Sequence, residues 1–160
     1  MSGPVAGMPK ADRQSVEQFI DAAPEDVFSA WIRPDMLEKW WGPDGFKTRV
    51  LEINAVEGGR FVFEMTAPDG SSCNMTGRYR TINPPGLLVF EVIDHCNIGL
   101  PDHVQPQLLP SRVTVRITPY GTAARVSVTH ALLGPGYEWL ALTSWTSVLA
   151  RLEASCGPRG

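Results

Sequence analysis

The sequence predicts an α+β fold, a curved antiparallel sheet wrapped around one long C-terminal helix. Three observations predict it. From Phe46 to His130, apolar and polar residues alternate with a period of two, interrupted by Pro and Gly turn signals. Two short helical segments, each opened by a proline, precede that run. Tyr137 to Ala154 has helical apolar spacing and is long enough to cover a sheet face.

Met1 to Lys10 is rich in Gly and Pro and lacks a long apolar core. Residues 1–14 therefore read as a disordered lead-in, not a secretory signal. Ser15 to Ile20 is a first strand. Pro24 and Pro34 follow, each suited to the first position of a helix, where a fixed φ and a missing N–H cost least. Glu25, Asp26 and Asp35 put negative charge at the positive ends of the helix dipoles. Val27, Phe28, Trp31 and Ile32 form one apolar stripe; Met36, Leu37, Trp40 and Trp41 form another, stopped by Gly42-Pro43. Short helices ending in indoles suggest a lid or a cavity wall.

Strands then succeed one another. Leu51 and Ile53 share a face, and Phe61, Phe63 and Met65 alternate with Arg60, Val62 and Glu64. Pro68-Asp69-Gly70 is a hairpin turn. Cys73, Met75, Gly77 and Tyr79 oppose Asn74, Thr76, Arg78 and Arg80; Pro84-Pro85-Gly86 turns the chain again before Leu88, Phe90 and Val92. Val113, Val115 and Ile117 alternate with Arg112, Thr114 and Arg116. After Tyr120-Gly121, Val126, Val128 and His130 oppose Arg125, Ser127 and Thr129. Successive hairpins imply an antiparallel meander with one wet face. The dry face needs a cover, and Trp139, Leu142, Trp145, Leu149 and Leu152 supply a continuous stripe in a helix uncharged between Glu138 and Arg151. Residues 94–110 read as a long irregular loop, a pocket rim or contact surface. Residues 15–155 make a single domain and 156–160 a frayed tail.

The pattern A-x-P-E-x-V-F-x-A-W-x-x-P-x-x-L-x-x-W-W-G-P, from Ala22 to Pro43, resembles the opening of the activator of heat shock protein 90 ATPase homologue-like (AHSA-type) family, in the START-like (SRPBCC) superfamily. The resemblance continues in Val56-Glu57-Gly58-Gly59-Arg60-Phe61, Ala67-Pro68-Asp69-Gly70 and Gly77-Arg78-Tyr79, and from Asn83 to Phe90. It resumes at Ser111–Thr118, Ala124–His130 and Ser144–Leu152, covering roughly residues 15–155 in all. It implies the helix-grip (START-like, Bet v-like) arrangement. It also implies one of three roles: a small-molecule binder, a chaperone-linked stress-response protein, or a cyclase- or hydrolase-type enzyme. The eukaryotic activator also carries a separate N-terminal chaperone-binding domain, to which the residues before Ser15 do not correspond. Ser144 stands where the family usually has a glycine before the helix tryptophan, and a serine there affects how closely helix and sheet approach.

The leading candidate site is the space between helix and sheet, a concave apolar cavity of the kind that holds small molecules. Phe61, Phe63, Met65, Met75, Tyr79, Phe90, Val115, Val128, Trp139, Leu142 and Trp145 point toward it, with Trp40 or Trp41 near the mouth. Core packing is the better explanation of each taken singly; for the set, a residual cavity and a filled core are evenly matched. Tyr79 and His130 bring polar tips to the inward face and are the candidates to orient a ligand. For His130 the favoured reading is a histidine satisfied by a neighbour at a strand end.

Other chemistry fits less well. Asp94-His95-Cys96 and Asp102-His103 have ligand-type side chains, but match no standard zinc spacing and read as a solvated loop. No paired-carboxylate site stands out, since Asp69 serves a turn and Glu64 and Glu91 face outward. Gly58-Gly59 reads as a tight turn, not a phosphate cradle. The expectation is a non-catalytic domain for an apolar or amphipathic ligand, with no metal and no cofactor.

At 160 residues, 43% hydrophobic and 19% charged, the chain fits one domain with one core. A formal charge of −3 argues against a general nucleic-acid binder. No apolar run reaches bilayer length. Cys73, Cys96 and Cys156 are odd in number, which argues against a disulfide framework and for a reducing, cytoplasmic setting. Cys73 is expected as a small buried hydrophobe. The uncharged last helix and the Trp40-Trp41 pair would suit a homodimer.

Overall fold

Pro34 both ends one helix and begins the next. The computed structural model describes residues 15–94, 110–131 and 137–156, with side chains except at 94 and 137–143. In it β1 (Ser15–Ile20) leads into α1 (Pro24–Ile32) and α2 (Pro34–Trp40). Arg33 between them is extended, at φ −94° and ψ 127°, as a residue before proline prefers. Neither helix has a side-chain cap, so proline and the first-turn acids carry both starts.

The strands β2 (Lys47–Ile53), β3 (Arg60–Thr66), β4 (Ser72–Asn83), β5 (Leu87–Asp94), β6 (Ser111–Tyr120) and β7 (Ala123–Ala131) precede α3 (Tyr137–Cys156). Seven strands form one antiparallel sheet in the order β1-β7-β6-β5-β4-β3-β2. The meander therefore runs from β2 to β7, and β1 closes on the last strand, Ser15 facing Thr129. This is the helix-grip α+β fold. Phe61, Phe63, Leu88, Phe90, Val113, Val115, Val126 and Val128 are buried on its inner face with Leu149 and Leu152 of α3. Gln18 Nε2 donates to Glu153 Oε1 at 2.5 Å, tying the edge strand to the helix.

Three expectations need correction. Leu51 does not share the inner face with Ile53: a bulge between Val50 and Glu52 turns it outward, and it is 46% exposed. Cys156 is no frayed residue but the last of α3, packed against the core. Cys73 is only half-buried and is disulfide-bonded, while Cys156 is not part of a disulfide. An odd cysteine count leaves one thiol over without forbidding a pair, so the cysteine argument for a reducing setting loses its basis. The partner of Cys73 lies outside the described residues, as do the lead-in 1–14, the loop at 95–109 and the tail at 157–160. No helix among the described residues is long and apolar enough to cross a membrane.

Candidate functional site

Six aromatic rings from five elements of chain meet between the sheet and α3. Trp31 comes from the end of α1, Trp41 from just after α2, Phe61 and Phe63 from β3, Tyr79 from β4 and Phe90 from β5. They enclose a cavity of about 10 Å³, room for one water molecule. The strand period puts Phe61 and Phe63 on one side, stacked with centroids 4.8 Å apart. Phe61 fits because residue 77 opposite it is glycine: a Cβ there would lie 2.1 Å from Phe61 Cζ. Trp31 is the hub, with centroids 4.7 Å from Trp40, 6.0 Å from Trp145, 6.1 Å from Trp41 and 6.5 Å from Phe90. Its edge-on packing against Trp40 and Trp41 is the arrangement ring quadrupoles favour.

Two polar hydrogens sit in this apolar wall. Trp31 Nε1 is buried and has no hydrogen-bond partner among the described residues; an unmade buried bond costs about 1–3 kcal/mol. The Tyr79 hydroxyl makes no hydrogen bond among the described residues, and burial pushes its pKa up, so it stays a neutral donor. Trp40 is different. Its Nε1 donates to the Ala30 carbonyl at 3.0 Å, which holds the indole against α1 and away from the box.

His130 belongs to a separate network. Trp145 Nε1 donates to His130 Nδ1 at 3.2 Å, and His130 Nε2 lies 2.7 Å from Ser111 Oγ. An indole can only donate, so Nδ1 carries the lone pair and Nε2 the proton. His130 thus donates to Ser111. A catalytic serine needs the reverse, a lone pair on Nε2 to take its proton. Ser111 is moreover fully buried. The pair has the spacing of a nucleophile and its base, with the wrong tautomer for the work.

The backbone of the tryptophan turn is pinned from two sides. Thr48 Oγ1 donates to the Trp41 carbonyl at 2.8 Å. From α3, Arg151 Nη1 reaches the carbonyls of Gly42 at 2.8 Å and Pro43 at 2.9 Å, with Trp41 at 3.4 Å. Gly42 has φ +97°, and a Cβ there would press on Met65 Cε at 3.2 Å. The positive φ favours glycine there, and any side chain would also have to push the Met65 methyl aside.

Of the residues named from sequence, Trp41, Phe61, Phe63, Tyr79 and Phe90 line the cavity. Met65, Val115 and Val128 are buried in the surrounding core, and Met75 is half-buried against it. Trp145 packs on Trp31 and Trp41. The side chains of Trp139 and Leu142 lie outside the described residues. Trp40 is buried in the core, and both indoles of the pair are covered within one chain, which removes it as an argument for a homodimer. Trp31, Ser111 and Arg151 were not singled out. Trp31 sits in a stripe that core packing explains, and nothing in sequence distinguishes one arginine in the last helix. Among the described residues, no three His, Cys, Asp or Glu side chains gather as a metal site.

The family model for Activator of Hsp90 ATPase homolog 1-like protein matches residues 21–157. Protein CV1439 from Chromobacterium violaceum is similar in structure at TM-score 0.76 and 26% identity, over 91% of this chain and 97% of that one. Protein NE0264 from Nitrosomonas europaea is similar at TM-score 0.76 and 16% identity, over 93% and 96%. The AHSA1 protein from Silicibacter pomeroyi is similar at TM-score 0.71 and 24% identity, over 88% and 94%. No curated protein matches the sequence.

Proposed function

This chain belongs to the Activator of Hsp90 ATPase homolog 1-like family, and from that premise we propose that it is a non-catalytic domain binding a small apolar or amphipathic ligand between sheet and last helix. Membership gives the fold and leaves activity to the site. The observation that supports the reading is the buried donor Trp31 Nε1, unpartnered among the described residues, with the hydroxyl-bearing Tyr79 in the same wall of rings. A flat guest with a hydrogen-bond acceptor would satisfy this donor while the rings supply contact area. The box is closed to about 10 Å³, so a guest enters only as a side chain moves aside. Trp41 is the most exposed of the six lining residues, at 5%, and its backbone is held by Thr48 and Arg151, so in this reading its indole is the group that moves. Met65, Met75, Val115, Val128 and Trp145 extend the apolar wall, and His130 braces Trp145.

The enzyme reading is disfavoured by the His130 tautomer. A chaperone-linked role rests on the family name alone. Native mass spectrometry of the protein from its own host, set beside its denatured mass, tests the proposal. Extra mass lost on denaturation is expected. A clean mass, together with no rise in melting temperature across a series of flat aromatic acids, would overturn it.

A further inference from the structure

The outward face of the sheet carries a row of arginines that neither the core nor the aromatic box uses. Arg60 on β3 stands opposite Arg78 on β4, Arg78 opposite Glu91 on β5, and Glu91 opposite Arg112 on β6. Arg80 joins them from a bulge in β4. Glu91 is the one carboxylate in the row, and its Oε2 is already shared, with Arg112 at 2.9 Å and Arg80 at 3.9 Å. Arg60 reaches only Glu52, at 3.9 Å. Arg78 forms no ion pair among the described residues. Roughly half of the Arg60, Arg80 and Arg112 side chains is exposed.

Folding accounts for part of this arrangement, since Glu91 stands opposite both Arg78 and Arg112, but not for all of it. Like charges directly opposite each other destabilise a sheet, and Arg60 faces Arg78. The row is cationic in a chain whose formal charge is −3. Guanidinium groups match carboxylates two bonds at a time, so unspent arginines make a ready carboxylate receptor. The spacing narrows the partner further. Three strand spacings of about 4.8 Å separate Arg60 from Arg112, roughly 14 Å in all. An extended chain advances about 6.8 Å per two residues. Acidic side chains at alternate positions would therefore fall on Arg60, beside Arg78 and Arg80, and on Arg112.

We propose that this row docks an extended acidic segment of a partner protein, with Asp or Glu at alternate positions. A continuous polyanion suits the face less well. Glu91 interrupts the row, Glu52 sits at its β3 end, and nucleic acid needs many phosphate contacts without such interruptions. A peptide can place its carboxylates around Glu91.

The test is fluorescence anisotropy with a labelled peptide of sequence Gly-Glu-Ser-Glu-Ser-Glu-Gly and the full chain. Saturable binding is expected, weakened by raising salt from about 50 to 300 mM. The double variant Arg60→Ala, Arg78→Ala should lose about tenfold or more in affinity. Arg33→Ala removes a cation from outside the sheet, where it pairs with Asp35, and should change affinity less than about twofold. A peptide of equal charge with its acids adjacent should bind more weakly. The proposal is overturned by no saturable binding, by equal losses in the Arg33 variant, or by tighter binding of a single-stranded oligonucleotide or phosphatidylserine vesicles than of the peptide. All these variants are on the surface, and an unchanged melting profile checks that they fold.

Discussion

Arg151 Nη1 donates to the Gly42 carbonyl at 2.8 Å, joining the last turns of the final helix to the turn that carries Trp41. The two residues are 109 positions apart, and the contact decides where the tryptophan turn sits relative to the helix. The carbonyls it satisfies follow α2, where backbone acceptors otherwise lack partners.

Replacing Arg151 with Met keeps much of the stem and removes the charge-assisted bonds. We expect a loss of about 1–3 kcal/mol in denaturant unfolding. Acrylamide should also quench tryptophan fluorescence more readily, because Trp41 is freed. Lost stability with unchanged quenching would mean that Arg151 does not position the indole.

Gly77→Ala should destabilise the fold by about 1–3 kcal/mol or more. The new Cβ meets the Phe61 ring and, at 2.5 Å, the Glu91 carbonyl. Gly86→Ala is the control, since its Cβ finds only the Ile117 carbonyl, at 3.5 Å. Thermal melts of the two variants give the comparison, and equal effects would contradict the close approach of Phe61.

Tyr79 makes stability fall in alkali. Its folded-state pKa is raised by burial, so the folded protein keeps a proton that the unfolded chain releases above about pH 10. The contribution is fully present below that pH and is lost as pH rises. Tyr79→Phe should flatten the decline by up to about 1.4 kcal/mol per pH unit. Urea unfolding from about pH 9 to 11.5 measures it; identical slopes would show that Tyr79 ionises freely in the folded state.

Much of the fold was legible because alternation is a direct imprint of the pleat: Phe61, Phe63, Phe90 and Val115 were placed inward and are inward. The two prolines marked both helix starts. A bulge leaves no such imprint, so alternation alone assigns Leu51 to the wrong face. In the candidate site, five of the lining rings were named and the hub was not, because Trp31 lies on a helix stripe that any core would show. Trp40 and Trp41 are adjacent and chemically identical. Only the Ala30 carbonyl, holding Trp40, assigns the box to Trp41. Ser111 and Arg151 act through partners far along the chain, and single residues carry no record of those.

The most direct test of the aromatic box is calorimetric titration with 2-naphthoate, a flat apolar body with an acceptor, against wild type and Trp31→Phe. Saturable binding to the wild type is predicted, weakened about tenfold or more when the indole donor is removed, as for a buried hydrogen bond to a charged group. The variant trades the hub indole for a smaller ring, so a packing loss of about 1–3 kcal/mol is expected, and a cooperative melt above the titration temperature checks that it is folded. Absence of binding, or equal affinity in the two proteins, would contradict the account.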